Sequence, residues 1–422
     1  MGWWSGHGGP GGSGTPGGPG VPGAAGAPVA AWQAPTDVER ALYEAKARED
    51  WPGYFDVLGS TWLYWSTPRH PLDAVGQTSF GSYWNPGTRT RCVALFTAGM
   101  LPPPVPDPVF VSRHLGSLAR IWPDDEWWLA VNPGTPCEAY FPAGMAHRAV
   151  WRQHWERAWR PRHSTLRTLW TGGPLHGPVA HGLACGALMS VKNGSYWNSV
   201  AWHGTGYDDE VYLLKRWWGV TTREKWLTYL EELLRGDMVS GAWEFVLKVR
   251  DTLARASRTD TVSVAKWRDV TEHLARERLA ETLASRDGPP DTSVMDEIKR
   301  LQGLIGKIMR YEARFRADGL LPEDGYVRSV LAWDHGRASG MARWGLGARF
   351  GELWETEQAL LRAGRVSQAS YDSWEEFSRG YVLGRCLHFD DEEFGDWYTE
   401  MLDAHRILTT DPASPWLNLP FK

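Results

Sequence analysis

Ala332-Trp333-Asp334-His335-Gly336-Arg337-Ala338-Ser339-Gly340-Met341-Ala342-Arg343-Trp344-Gly345 is one of two stretches that decide the fold of this chain of 422 residues. The other is Ser373-Trp374-Glu375-Glu376-Phe377-Ser378-Arg379-Gly380-Tyr381-Val382-Leu383-Gly384-Arg385. Each stretch has two glycines four positions apart. A glycine inside a helix costs about 1 kcal/mol relative to alanine, so these pairs need a structural reason. Because four-residue spacing places both glycines on one helix face, we predict that helices over 325–347 and 371–388 cross at their glycine faces.

Charged and aromatic side chains surround the four glycines. They are Asp334, Arg337, Arg343, Trp344, Trp374, Glu376, Tyr381 and Arg385. One interpretation is a buried ion-pair network, with Asp334 on Arg385 or Arg337 on Glu376, that fixes the helix register and carries out no chemistry. The other is a ligand site, in which the arginines hold an anion, the carboxylates orient them and the aromatic rings stack on it. An enzyme would use Asp334 or Glu376 as general base.

The chain after about residue 172 has the pattern of a helical domain. Residues 222–234 carry an apolar stripe at the helical period, with Trp226, Leu230 and Leu233 on one face. Further helices are predicted over 240–256, 263–285, 293–316, 325–347, 352–363, 371–388 and 391–405, with a break at 286–290. We therefore predict a mainly all-α C-terminal domain over 172–422.

Five separated motifs in this region resemble the bacterial YbeU/YbeR-like domain family. Besides the two stretches already quoted, they are Ala184-Cys185-Gly186-Ala187-Leu188…Asn193-Gly194, Trp218-Gly219-Val220-x-x-Arg223-Glu224 and Asp411-Pro412-x-Ser414-Pro415-Trp416-x-x-Leu419-Pro420. The resemblance covers about residues 175–420. It implies an all-helical fold and no reaction, because the family is one of unknown function.

The first part of the chain has a different composition. Residues 1–36 are rich in Gly, Pro and Ala, so they bury too little surface to offset ordering entropy and are predicted to be a disordered tail. A capped helix begins near Asp37, and strand-like runs follow at 59–65, 91–97, 127–131 and 138–141. An α+β domain over 37–146 is predicted. Through Leu95-Phe96-Thr97 and Leu129-Ala130-Val131-Asn132-Pro133-Gly134-Thr135-Pro136 it resembles the SseB N-terminal domain over about 37–145, which implies an interaction module.

A helix rich in Arg and Trp is predicted to link the two domains over 147–171. Trp151, Trp155 and Trp159 recur every four residues and form one stripe among arginines. Such a helix either buries its tryptophans on one domain or presents a face to nucleic acid or an anionic membrane over 148–167. The first interpretation is favoured, because any docked helix is amphipathic. The 27 tryptophans of the chain are likewise interpreted mainly as core packing.

Charge and composition exclude several classes of protein. The net charge of -5 argues against a general nucleic-acid binder, and no apolar run is long enough to span a bilayer. The first residues lack the basic and apolar regions of a secretory signal. The four cysteines lie far apart, which is typical of reduced thiols in a cytoplasmic protein; they are Cys92, Cys137, Cys185 and Cys386.

Motifs for phosphate loops, nucleophile elbows and zinc sites are absent from the sequence. His176, His181 and Cys185 are close in sequence but lack further ligands, so no metal or cofactor is predicted. The acidic run at 388–393 is interpreted as a helix N-terminus. The sequence favours a cytoplasmic, non-enzymatic protein that binds a protein partner or a small anionic ligand. The alternatives are an enzyme acting on a small anionic substrate at the helix crossing and a nucleic-acid or membrane binder.

Overall fold

The structure, a computed structural model, describes residues 32–101, 107–160, 164–200, 206–257, 262–284 and 294–422. The predicted tail up to residue 31 and the predicted helix break at 286–290 lie outside the described residues. An α+β region, the N-terminal module (residues 37–158), precedes an all-helical region, the helical module (residues 177–422). The predicted fold class is therefore confirmed.

The N-terminal module alternates short helices and strands. In chain order they are α1 (Asp37–Ala47), α2 (Trp51–Gly59), β1 (Trp62–Thr67), α3 (Arg69–Val75), β2 (Ser82–Asn85), β3 (Thr90–Leu95), β4 (Val109–His114), α4 (Leu115–Ile121), β5 (Trp128–Val131), β6 (Ala139–Pro142) and α5 (Met145–Ala158). Thr36 caps α1 by accepting a hydrogen bond from the Val38 backbone N–H. The larger sheet has the order β2-β3-β5-β6, with β3 and β5 parallel and the outer pairs antiparallel. β1 and β4 form a separate antiparallel pair, joined to the chain after β3 by a bridge between Tyr64 and Phe96.

Helix α5 packs on this module through its tryptophans. Trp151 is 1% exposed and packs edge-on against Trp122, with ring centroids 5.1 Å apart. The half-buried Trp155 stacks on His114, with centroids 4.5 Å apart. The tryptophan stripe therefore packs into the core of the N-terminal module.

The helical module is built around one buried helix. Its elements are α6 (Gly177–Cys185), α7 (Ala187–Asn193), α8 (Tyr207–Trp218), α9 (Arg223–Arg235), α10 (Gly241–Ser257), α11 (Val264–Ala284), α12 (Val294–Ala317), α13 (Leu331–Gly347), α14 (Leu353–Ser370), α15 (Trp374–Phe389), α16 (Asp396–Thr410) and α17 (Pro415–Asn418). Helix α13 is the central one, because it contacts α6, α7, α8, α9, α14 and α15. Every residue of α13 from Ala332 to Ala342 is buried.

Two predicted helix starts were wrong. Helix α13 begins at Leu331 and not at 325, because side chains of other helices accept hydrogen bonds from the preceding amides: Glu312 from Val327 and Glu244 from Val330. Helix α16 begins at Asp396 and not at 391.

The acidic run at 388–393 therefore comprises the last two residues of α15 and the turn after it, and is not a helix N-terminus. Asp390 accepts hydrogen bonds from the backbone N–H groups of Phe394 and Gly395, at 3.0 and 3.1 Å, and closes the turn. Asp391 and Glu392 form ion pairs with cations of α12, at 3.0 Å to Lys307 and 2.6 Å to Arg310.

Helix α8 joins the two modules by lying against β4. Arg113 of β4 forms an ion pair with Asp208 at 2.8 Å, and the Tyr207 hydroxyl donates to Asp73 at 2.7 Å. Within the described ranges, no helix combines the length and the apolar character needed to cross a membrane.

Candidate functional site

The predicted crossing of α13 and α15 exists, and two of the four glycines lie in it. A Cβ on Gly336 would lie 2.6 Å from Tyr381 Cε2 of α15 and 2.9 Å from the backbone oxygen of Cys185. A Cβ on Gly384 would lie 2.6 Å from the Cβ of Trp333. Each glycine therefore accommodates an aromatic residue of the other helix, so the contact is glycine against ring and not glycine against glycine.

The other two glycines have different neighbours. A Cβ on Gly340 would meet the ring of Trp344 in the same helix, at 2.9 Å. One on Gly380 would meet the backbone oxygen of Ser329 and the hydroxyl of Tyr371. These two glycines make room for packing outside the α13–α15 contact.

Asp334 is fully buried and is held by donors from its own helix and from the segment after α9. Its Oδ2 accepts hydrogen bonds from the backbone N–H groups of Met238 and Val239, both at 2.9 Å. Its Oδ1 accepts from Arg337, one turn along the helix. Burial raises the pKa of Asp334, while Arg337 and the two backbone donors act in the opposite direction. The predicted ion pair between Asp334 and Arg385 is wrong, because both oxygens are already occupied.

Two buried guanidinium groups approach the indole of Trp333. The guanidinium carbon of Arg337 lies 4.3 Å from the centroid of this ring, and that of Arg385 lies 5.9 Å from it. Arg337 also donates from Nε to the backbone oxygen of Trp333 at 3.1 Å. Arg385 donates to the backbone oxygen of Trp397 at 3.1 Å and to Glu400 Oε2 at 3.4 Å. Cation–π contacts of this kind are strongest where water is excluded.

Two donors at this place lack an acceptor. The Tyr381 ring packs edge-on against Trp333, with centroids 5.0 Å apart. The hydroxyl of Tyr381 and the Nε1 of Trp333 are both buried, and neither has a hydrogen-bond partner among the described residues. Burial raises the pKa of Tyr381 to about 12, against the effect of Arg385 and Arg337, so the hydroxyl keeps its proton at neutral pH. The crossing thus concentrates hydrogen-bond donors and positive charge.

Three predicted site residues lie elsewhere. Arg343 donates to Ser190 Oγ at 3.1 Å and to the Tyr196 backbone oxygen at 2.6 Å, and burial lowers the pKa of Arg343 to about 10. Trp344 is half-buried, with its ring centroid 6.2 Å from that of Trp218. The Trp374 indole donates to the backbone oxygen of Leu419 at 2.9 Å and stacks on Trp416. Arg343 and Trp374 hold neighbouring segments in place.

Glu376 also lies outside the crossing. It forms an ion pair with Arg328 and accepts a hydrogen bond from the Asp372 backbone N–H at 2.8 Å. The predicted pair between Arg337 and Glu376 is therefore wrong. Asp334 and Glu376 have separate sets of donors, so they do not form one catalytic pair.

Trp333 belongs to the first sequence motif but is not among the predicted site residues. Its spacing of four residues from Arg337 places both on one helix face, which is the signal that selects it. Trp397 and Glu400 carry no comparable signal, because they belong to α16 and reach Arg385 only through the fold.

His181 and Cys185 of α6 have structural partners. His181 Nε2 lies 2.8 Å from the backbone oxygen of Phe421, and Cys185 Sγ lies 3.4 Å from that of His181. In the part of the chain that the structure describes, no group of three or more His, Cys, Asp or Glu side chains is arranged to hold a metal ion. The four cysteines are buried and form no disulfide.

The arginines of α5 are partly neutralised. Arg148 forms an ion pair with Asp125, and Arg157 forms one with Asp56. Arg167 donates to the backbone oxygen of Gly194 and to the hydroxyl of Tyr196. Arg162 lies outside the described residues. With its tryptophans packed inward, this helix lacks the exposed aromatic face that nucleic-acid stacking requires.

One family model matches the part of the chain that contains this site. Residues 213–421 match the family model described as "Protein of unknown function (DUF1266)". The match runs from within α8 to the end of the chain and therefore includes the α13–α15 crossing. No curated protein and no solved structure matches the chain.

Proposed function

We propose that this chain is a non-enzymatic ligand-binding protein that takes one small anion at the α13–α15 crossing. The observation that carries the proposal is the pair of buried donors, Trp333 Nε1 and Tyr381 Oη, without an acceptor among the described residues. Buried polar groups in native proteins nearly always have a partner, and an ion is one accepted explanation of an exception. An anion would accept hydrogen bonds from both donors.

The charges at the crossing support an anion. Asp334 neutralises Arg337 directly. Arg385 has a weaker partner, because Glu400 lies 3.4 Å from it and also faces Lys192 at 3.6 Å. The charge of Arg385 is therefore less closely paired than that of Arg337. Charge-assisted hydrogen bonds from arginine to an oxyanion are among the strongest in proteins.

The same geometry does not favour an enzyme. Both oxygens of Asp334 accept hydrogen bonds inside the core, so this carboxylate is not open to a substrate proton. Glu376 lies at a different place and is bound to Arg328. We therefore keep binding, and not catalysis, as the proposed activity.

The finer assignments belong to the same proposal. We assign the helical module to the bacterial YbeU/YbeR-like family and the N-terminal module to the SseB N-terminal type, on the motifs quoted above. On that assignment the N-terminal module contacts a protein partner in the cytoplasm, while the helical module holds the anion.

A conservative substitution tests the anion site. Tyr381→Phe removes only the hydroxyl. In a buffer without small inorganic anions the variant is expected to be more stable than the wild type, because an orphaned buried polar group costs about 1–3 kcal/mol. With chloride, inorganic phosphate or acetate added at constant ionic strength, the wild type is expected to gain stability and the variant to bind about tenfold more weakly. Thermal unfolding and native mass spectrometry of the full chain measure both effects.

Arg385→Met and Arg300→Met provide the comparison. Arg385→Met is expected to abolish the stabilisation by anions, whereas Arg300 of α12 is in an exposed pair with Glu297 and its loss should leave the stabilisation unchanged. Equal anion-dependent shifts in wild type, Tyr381→Phe and Arg385→Met would overturn the proposal.

A further inference from the structure

A second place in the helical module has the properties of a binding site. An open cavity of about 450 Å³ lies between the end of α10, the loop before α13 and the start of α15. Cavities of about 300–1,000 Å³ are typical of small-molecule sites in proteins. Its lining is mostly charged, which distinguishes it from an ordinary packing gap.

Most charges in this cavity already have partners in the chain. Arg328 forms ion pairs with Asp372, at 2.8 Å, and with Glu376. Arg255 forms one with Asp251 at 2.8 Å. These pairs shape the walls and leave little net charge for a ligand.

One cation and one anion in the same cavity form no ion pair with another described residue. Arg379 donates from Nε to the backbone oxygen of Leu320 at 3.0 Å and forms no ion pair with any described residue. It is half-buried, and burial lowers the pKa of Arg379, while the carboxylates of Glu375 and Glu376 act in the opposite direction. Asp324, on the loop before α13, likewise forms no ion pair within the described ranges. Two opposite charges in one cavity, neither of them in an ion pair, suit a ligand that carries both.

We propose that this cavity binds a compact zwitterion of dipeptide size, with its carboxylate on Arg379 and its ammonium group on Asp324. The ring of Tyr326 lies in the same lining and offers an apolar contact. Tyr326 is itself fixed, because its hydroxyl donates to Asp251 at 3.2 Å and Arg250 lies 4.9 Å from the ring centroid. This site shares none of its ligand-contacting residues with the α13–α15 crossing, so it does not depend on the proposed function.

The test uses one dipeptide in three forms. Alanyl-alanine, its N-acetyl form and its C-terminal amide are titrated into the full chain by isothermal calorimetry. The free dipeptide is expected to bind, and blocking either end should weaken binding about tenfold, because each removes one charged contact. No binding of the free dipeptide, or equal binding of the three forms, would overturn the proposal.

Two variants assign the ends. Arg379→Met should weaken binding of the free dipeptide. The affinity of this variant for the C-terminal amide should equal that of the wild type, because the amide has no carboxylate to place on the arginine. Asp324→Asn should likewise weaken binding of the free dipeptide and leave the affinity for the N-acetyl form unchanged, because that form has no ammonium group. Arg379→Met also removes a loop contact, so Asp324→Asn keeps the test decisive if the first variant is unstable. Arg300→Met is the control and should bind all three forms as the wild type does. If each variant changes the affinity for all three forms equally, or for none of them, the proposed site and orientation are wrong.

Discussion

At the scale of single residues, Asp334 is the side chain on which the polar contacts of the crossing depend. It accepts hydrogen bonds from Met238, Val239 and Arg337 inside the core. Asp334→Ala is expected to destabilise the protein by about 3–5 kcal/mol, because it leaves a buried guanidinium and two backbone donors without an acceptor. Denaturant unfolding of the variant and the wild type measures this difference.

A half-buried acidic residue at the surface gives the matched comparison. Glu297 of α12 forms an ion pair with Arg300 at the surface. Glu297→Ala should cost no more than about 1 kcal/mol, because surface pairs contribute little. The double variant Asp334→Leu with Arg337→Met should recover part of the loss, because an apolar pair can replace a buried ion pair. A cost for Asp334→Ala as small as that for Glu297→Ala would show that Asp334 does not anchor the crossing.

At the scale of helices, the close approach of α13 and α15 depends on Gly336 and Gly384. Gly336→Ala is expected to destabilise the protein by about 1–3 kcal/mol, because the new methyl group meets Tyr381 and the backbone oxygen of Cys185. Gly303 of α12 is the control, since a Cβ there has no neighbour within 4 Å. Gly303→Ala should stabilise the protein by about 0.5–1 kcal/mol through helix propensity alone. Thermal unfolding measures the stability of both variants. An equal loss of stability in Gly336→Ala and Gly303→Ala would contradict the packing role of Gly336.

Helices and strands were predictable from the sequence where their own residues carry a clear apolar pattern. The helices α9 and α12 were predicted to within two residues, because each has a strong apolar stripe. Strands β2 and β4 were missed. Strand β2 is short and largely exposed, and β4 follows a proline-rich stretch and forms only through pairing with the distant β1. Helices α6 and α7 were missed because they are small-residue helices buried on most sides, so no stripe appears.

The candidate site was predictable in its place but not in its contacts. Glycine spacing identified the helix contact, since it depends only on positions along each helix. The partners of Asp334 and Arg385 were not predictable, because they are backbone N–H groups after α9 and a carboxylate on α16. Which side of a helix faces which neighbour is decided by the packing of the whole module, and Glu376 lies in the lining of the cavity beside α10.

At the scale of the whole molecule, the two modules meet where α8 lies on β4. Asp208 forms an ion pair with Arg113, and the Ser112 hydroxyl donates to Asp209 at 3.3 Å. A Cβ on Gly206 would lie 3.0 Å from the backbone nitrogen of Ser112, so the chain reaches this contact with little room to spare. Asp209 lies in this junction and forms no ion pair with a described residue, because Arg113 is paired with Asp208.

This arrangement predicts a pH-dependent junction. Burial, and then the neighbouring Asp208, raise the pKa of Asp209 to about 6, while Arg113 and Ser112 oppose the shift. An unfolded Asp titrates near about 3.9, so the folded state holds the proton more tightly. The contribution of the neutral group to stability is complete below about pH 4 and is lost as the pH rises through about 6. A pKa shift of two units changes the free energy of unfolding by at most about 3 kcal/mol.

Asp209→Asn separates the charge from the contact. The amide stays neutral and still accepts the hydrogen bond from Ser112, so the variant should unfold at a higher temperature than the wild type at pH 7.5. Its stability should also change less between pH 4.5 and 7. Asp208→Asn is the matched control and should have the opposite effect at pH 7.5, because it removes the ion pair with Arg113. Thermal unfolding across this pH range checks both variants. Parallel pH curves for wild type and Asp209→Asn would mean that the charged carboxylate of Asp209 is solvated, and that the junction between the modules does not respond to pH through this residue.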